Sequence, residues 1–200
     1  MNVVVLDYGS GNLRSAERAL QRVGADVEVT ADAGAALRAD GLVVPGVGAF
    51  AACTRGLDAI DGSSLVRKRI SAGAPVLGIC VGFQVLFGYG VEHGVRTDGI
   101  GVWSSGAVKL EAPILPHMGW NLVDVPSGST LFRGVERERF YFVHSYAARE
   151  AGGLVTTATH GSTTFVAAAE DGLVSGTQFH PEKSGDAGAQ LLKNWLESIR

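Results

Sequence analysis

Three separated stretches carry the side chains that nucleophilic chemistry needs. In "VLGICVGFQVLF", Val76 to Phe87, a short apolar run ends at Cys80, with Gly78 two residues before it and Gly82 two after. This is the spacing of a nucleophile elbow with cysteine in place of serine. A side chain lifted off a sharp strand-to-helix turn needs neighbours without bulk, because the two backbones approach closely there. A helix beginning near Val81 would add unpaired N–H groups and a positive dipole end, and both favour thiolate over thiol. Cys80 is therefore either a nucleophile or a buried core thiol, and the motif alone leaves both open.

A thiol nucleophile needs a base and something to orient that base. In "GTQFHPEKS", His180 follows an apolar run and Glu182 lies two residues on. Pro181 holds His180 in an extended or turned geometry, where residues two apart point to the same side. Glu182 would then hold the His180 ring in one tautomer. Alone, the stretch reads as a surface turn; beside the Cys80 elbow, the acid–base reading prevails. The third requirement is an oxyanion hole. "VVPGVGAF", Val43 to Phe50, ends a buried run in Pro45, Gly46 and Gly48. Glycine lets a peptide turn its N–H toward a ligand, so the N–H groups of Val47 and Val81 form the expected donor pair. An ordinary strand-end turn fits that stretch equally until the other pieces are counted.

Two other chemistries are not supported. "DYGSGNLRS" lacks the third glycine of a dinucleotide fingerprint, having Arg14 there, and no phosphate-loop Lys-Ser/Thr pair exists. No Cys-x-x-Cys or His-x-x-x-His pattern suggests a metal, so neither metal nor cofactor is expected. Cys53 reads as structural. His93 and His160 lie in glycine-rich stretches that read as exposed, and no role is assigned to them.

The elements that must position these groups are legible in outline. "NVVVLDY", "GLVVPG" and "PVLGI" are continuous apolar runs of the kind found in strands buried on both faces. "NLRSAERALQRVG", with Asn12 as the expected cap, and "SLVRKRISAG" read as helices between them. "DVEVT" adds an alternating strand. This alternation indicates a doubly wound, mostly parallel α/β sheet with helices on both faces. From about Val102 to Gln178 the pattern turns β-rich, and "AGAQLLKNWLESI" closes the chain as an amphipathic helix. The glycine-rich stretch from Gly88 to Gly106 is expected to be irregular. The 200 residues, 46% hydrophobic, suit one domain spanning 1–200 with a sizeable core. A net charge of -3 without like-charge blocks gives no reason to expect a nucleic-acid or membrane partner. With no recognisable signal peptide and only two cysteines, a cytoplasmic setting is expected.

Taken together, "PGVGAF", "GICVGFQ" and "QFHPEKS" resemble the class I triad glutamine amidotransferases. "DYGSGNLRS", "PHMGWN" and "YFVHSY" narrow the resemblance to the glutaminase subunits of imidazole glycerol phosphate synthases. The resemblance implies that Cys80, His180 and Glu182 hydrolyse L-glutamine through a thioester, with Val47 and Val81 as oxyanion donors. It implies that Gly48, Gln84, His144 and Ser145 hold glutamine. It further implies a (β/α)₈-barrel cyclase partner that receives the ammonia and makes imidazole glycerol phosphate and AICAR in histidine biosynthesis. Asn12, Met118, Trp120 and Lys183 match positions near that interface. A triad glutaminase serving an aminobenzoate, purine or pyridoxal phosphate synthase is the nearest alternative.

Overall fold

The computed structural model describes residues 1–199. Its first half alternates as the apolar runs require: β1 (Asn2–Leu6), α1 (Leu13–Arg22), β2 (Asp26–Thr30), α2 (Ala33–Arg38), β3 (Gly41–Gly46), α3 (Phe50–Ala59), α4 (Gly62–Ser71) and β4 (Val76–Cys80). A single helical turn, α5 (Val81–Gln84), leads into β5 (Phe87–Glu92), β6 (Val95–Asp98) and β7 (Trp103–Lys109). Then follow β8 (His117–Leu122), β9 (Arg139–His144), β10 (Tyr146–Ala148), β11 (Leu154–His160), β12 (Thr163–Asp171), β13 (Val174–Thr177) and α6 (Gly185–Ser198).

The main sheet has seven strands in the order β11-β12-β13-β4-β3-β1-β2. β13, β4, β3, β1 and β2 run parallel, and β11 and β12 form an antiparallel edge. The mostly parallel α/β sheet expected from sequence is what forms. β3 and β4 are buried along their whole length, as continuous apolar runs demand. α6 seals one face with Leu191, Leu192, Trp195 and Leu196, all buried. No helix among the described residues is long and apolar enough to cross a membrane.

Three local expectations need correction. The stretch from Gly88 to Gly106 is not irregular: β5 and β6 form a hairpin, and with β7 and β10 they make a second, four-stranded sheet. Glycine there serves close packing rather than disorder; a Cβ on Gly90 would strike the Phe50 ring. The helix after Cys80 ends after four residues, so it contributes N–H groups but little macrodipole. Asn12 occupies the cap position of α1, yet its side chain accepts no cap hydrogen bond.

The register assembles the site. Gly46 at the end of β3 lies beside Cys80 at the end of β4. On the other side Thr177 of β13 pairs with Ile79, which carries Gln178 to His180 past the same edge. Three adjacent carboxyl ends thus converge, the usual ligand position in an open α/β sheet.

Candidate active site

Cys80 terminates β4 with φ 55° and ψ −113°, a backbone conformation that residues with a Cβ rarely adopt. Two glycines permit it. A Cβ on Gly78 would sit 2.7 Å from the Phe83 Cα, and one on Gly82 would run into the Val44 carbonyl. The turn places the free, buried thiol at a cavity of about 290 Å³. That cavity is also lined by Val47, Gly48, Val81, Gln84, Glu92, His144, Ser145, Tyr146, His180 and Lys183.

His180 and Glu182 enter from the end of β13 and the 3₁₀ turn that follows it, Pro181–Lys183. The His180 Nδ1 lies 2.7 Å from Glu182 Oε1, and both side chains are 3% exposed. The His180 N–H donates to the Tyr141 carbonyl at 3.0 Å, and its own carbonyl accepts from the Ser184 hydroxyl at 2.7 Å. Burial lowers the His180 pKa, but the nearby Cys80 sulfur and the hydrogen-bonded Glu182 carboxylate outweigh burial and raise it to about 9. Near neutral pH the ring is therefore an imidazolium facing a sulfur. Such a pair can attack a carbonyl carbon and return a proton to the leaving group.

The two expected oxyanion donors differ. Val81 opens α5, so its N–H has no partner within the helix. The Val47 N–H donates instead to the Ser10 hydroxyl at 3.3 Å, and the Val47 carbonyl accepts from Ser10 and from the Cys53 thiol. Cys53, expected to be structural, is buried and holds this strand end. Gly48 follows at φ 83° with no heavy atom within 4 Å of an added Cβ, so space at that turn is open.

The residues expected to hold glutamine all line the cavity. The Gln84 Nε2 is engaged by the Tyr146 carbonyl at 2.8 Å and by Gln178 Oε1 at 2.9 Å. Both His144 nitrogens are also committed, Nδ1 to the Tyr146 carbonyl at 3.0 Å and Nε2 to His117 Nδ1 at 3.0 Å. Burial lowers the pKa of His144 to about 3, and burial with the nearby His160 lowers that of His117 to about 4, so both rings are neutral. His144 thus has only its ring edge and peptide groups left for a ligand. His160, read from sequence as exposed, ends β11 and stacks on His117 with ring centroids 4.3 Å apart. His93 sits at the β5–β6 turn with φ 51°.

Glu92 was not anticipated. At the end of β5 it lines the cavity, and its carboxylate accepts from the Phe50 N–H at the start of α3 at 2.9 Å. Only the hairpin brings it there, 12 residues beyond Cys80, and nothing in the local pattern marks it. Among the described residues, no group of three or more His, Cys, Asp or Glu could hold a metal ion.

Of the four interface candidates, Met118 and Trp120 project from the same side of β8 and are 65% and 52% exposed. Leu122, next on that side, is 50% exposed. Lys183 lines the main cavity, while Asn12 borders a smaller one beside His180 and Glu182. A contiguous apolar row of this kind on an exposed strand is the usual mark of a covered surface.

Comparison with known proteins adds an independent view. Residues 4–199 match the family model of class-I glutamine amidotransferases. The chain is 62% identical to imidazole glycerol phosphate synthase subunit HisH of Mycobacterium tuberculosis (strain CDC 1551 / Oshkosh), covering 99% of this chain and 98% of that one. It is 57% identical to the protein of that name from Thermobifida fusca (strain YX), covering 98% of each. Among solved structures, a glutamine amidotransferase aligns with TM-score 0.77 at 21% identity, covering 98% of each chain. PurLQS from Thermotoga maritima aligns with TM-score 0.73 at 19% identity, covering 100% of this chain and 98% of that one. At those identities the structural likenesses speak for the fold alone.

Proposed function

The chain belongs to the class-I glutamine amidotransferases, and from that premise we propose that it is the glutaminase subunit of an imidazole glycerol phosphate synthase, acting in histidine biosynthesis with Cys80 as its nucleophile. The observation that carries the reading is a buried sulfur, an imidazole and a carboxylate meeting at one wall of a cavity of about 290 Å³. Relatives named as this subunit at 57–62% identity over nearly the whole chain favour it over a glutaminase serving another synthase.

In this reading the Cys80 thiolate attacks the side-chain carboxamide carbon of L-glutamine. The His180 imidazolium gives its proton to the departing nitrogen, leaving ammonia, a γ-glutamyl thioester and a neutral imidazole. Water then attacks the thioester with His180 as base. Glutamate leaves, and sulfur and ring regain their starting charges. Glu182 keeps the His180 Nδ1 protonated and stabilises the positive ring throughout. The Val81 N–H meets the oxyanion, and Val47 joins it once its N–H exchanges Ser10 for that oxygen. Glu92 receives the α-ammonium of the substrate, with Gly48, Gln84, His144 and Ser145 around the rest of it.

Ammonia released into neutral water would become ammonium, which has no lone pair with which to attack. A partner that takes it directly is therefore part of the proposal: a (β/α)₈-barrel cyclase seated on the Met118–Trp120 row, near Asn12 and Lys183. The two free thiols suit a reducing cytoplasm. The test is Cys80→Ala in complex with the cyclase. Glutamine-dependent synthesis should disappear while synthesis from added ammonium salts persists. Glutamine hydrolysis at the wild-type rate would refute the assignment.

A further inference from the structure

Resting on the reading of Cys80 as a thiolate nucleophile, we infer that Gln178 acts on the sulfur alongside His180, its side-chain amide donating to Cys80 Sγ and holding it in the charged form. Gln178 follows β13 directly and lies beside Cys80, because Thr177 is in register with Ile79. It is wholly buried, so its amide must find partners inside the protein. Those partners leave it one orientation. The Tyr146 carbonyl can only accept, which turns the Gln84 Nε2 toward it at 2.8 Å. That same nitrogen lies 2.9 Å from Gln178, so the Gln178 atom facing it is Oε1. The Gln178 Nε2 is left pointing at Cys80 Sγ, 3.8 Å away.

The Tyr146 carbonyl is itself fixed by the His144 ring, whose Nδ1 donates to it at 3.0 Å. The amide aimed at the sulfur is thus held by a chain of buried donors and acceptors rather than by chance packing. A donor to a charged acceptor favours the charged form, so this contact stabilises thiolate over thiol. It opposes attack slightly, since sulfur then loses charge. It assists thioester breakdown, when charge returns to sulfur. For that reason the state of the sulfur, and not turnover alone, reports its action.

The test is the pH dependence of Cys80 alkylation by iodoacetamide in the full chain, with Cys53 labelling separated by mass spectrometry. His180 with its partner Glu182, and His144, Glu92 and Lys183 lining the same cavity, are unchanged in every variant, as are Tyr8 and Cys53 on the inner side of Cys80. A shift between profiles therefore belongs to Gln178. Gln178→Leu should move the acid limb up by roughly one pH unit, with alkylation about tenfold slower below it. Gln178→Glu, which keeps an acceptor for Gln84 but sets an oxygen against the sulfur, should move it the same way. A profile superimposable on wild type in a folded variant overturns the inference. Should neither variant fold, the wild-type side-chain amide NMR signal of Gln178 decides: it should move with the midpoint of Cys80 alkylation, and a signal that stays fixed overturns the inference. An unchanged profile with inactive Cys80→Ala removes the role of Gln178 only. Active Cys80→Ala removes the nucleophile reading itself.

Discussion

β4 and β13 end side by side, and each delivers one side chain of the proposed reaction, but the two ends are built differently. At Cys80 the backbone is forced to φ 55°, and no side-chain hydrogen bond caps the turn. What holds it is the closeness of Gly78 and Gly82 to the strand and helix around them. At His180 the backbone is ordinary, φ −100° and ψ 99°, and the restraint comes from polar contacts. Glu182 holds the ring, Ser184 the carbonyl and Tyr141 the N–H. The first end fixes where a sulfur sits, the second fixes the tautomer and charge of a ring. Damage to the second should therefore cost chemistry with the fold intact, and damage to the first should cost the fold.

Glu182→Gln tests the β13 end and should have the largest effect. The imidazolium loses its counter-charge, and the ring loses the partner that keeps its Nδ1 protonated. Glutaminase kcat should fall by about 10⁴-fold, the size of loss that neutralising the acid costs in a comparable triad. The stability profile gives a second reading. The folded pKa of His180, about 9, lies above its ordinary value of 6.5. Its contribution is fully present below pH 6.5 and is lost as pH rises through 9. Denaturant melts of the wild type should thus weaken across that window, and the variant should weaken less. A variant that keeps the full slope would show that the carboxylate does not hold the ring charged.

Gly82→Ala is the matching test at β4. The added methyl meets the Val44 carbonyl, a backbone atom of the central sheet that cannot rotate away. Relief requires separating α5 from β3, at a cost of about 3 kcal/mol by analogy with overpacked cores. The denaturation midpoint should drop, and activity should fall with the folded fraction. A variant with wild-type stability would mean that the turn tolerates a side chain, and the steric account of the β4 end would fail.

The same contrast explains what could be read from the sequence. Restraint by missing side chains is written locally: Gly78 and Gly82 flank Cys80, and the apolar runs around them give the parallel strands. Restraint by nearby polar groups is also local, since Glu182 lies two residues from His180. Glu92 was invisible because a hairpin and a second sheet carry it to the cavity, and neither is encoded near Cys80. The hairpin escapes a local sequence reading for the same reason. Its glycines mark where Phe50 and the other strands of its sheet press close, and isolated glycines look like breaks. The commitment of His144 to His117 and Tyr146 was equally hidden, because β8 and β9 pair across 27 residues. The single-turn length of α5 goes with the carbonyls of Val85, Leu86 and Phe87 accepting from Ile100, Val102 and Gly101 rather than from a longer helix, which the apolar run "VGFQVLF" does not reveal.

A smaller effect separates the two ends most cleanly, because it should change sign between them. Cys80→Gly and Cys80→Ala both lack the sulfur, so in the proposed mechanism neither turns over glutamine and only stability is compared. At φ 55° alanine keeps the strain of a Cβ in a disfavoured region, about 1–3 kcal/mol, which glycine sheds. Glycine in turn loses about 0.5–1 kcal/mol through the greater freedom of its unfolded chain. Cys80→Gly should therefore be the more stable by about 1 kcal/mol, seen as a higher denaturant midpoint. At His180 the backbone favours any residue, so no strain offsets the entropy. His180→Gly should be less stable than His180→Ala by roughly 0.5–1 kcal/mol. Opposite signs mean that a strained turn presents the proposed nucleophile while an unstrained one presents its proposed base. The same sign at both positions would place the strain elsewhere, and the β4 end would then be held by packing alone.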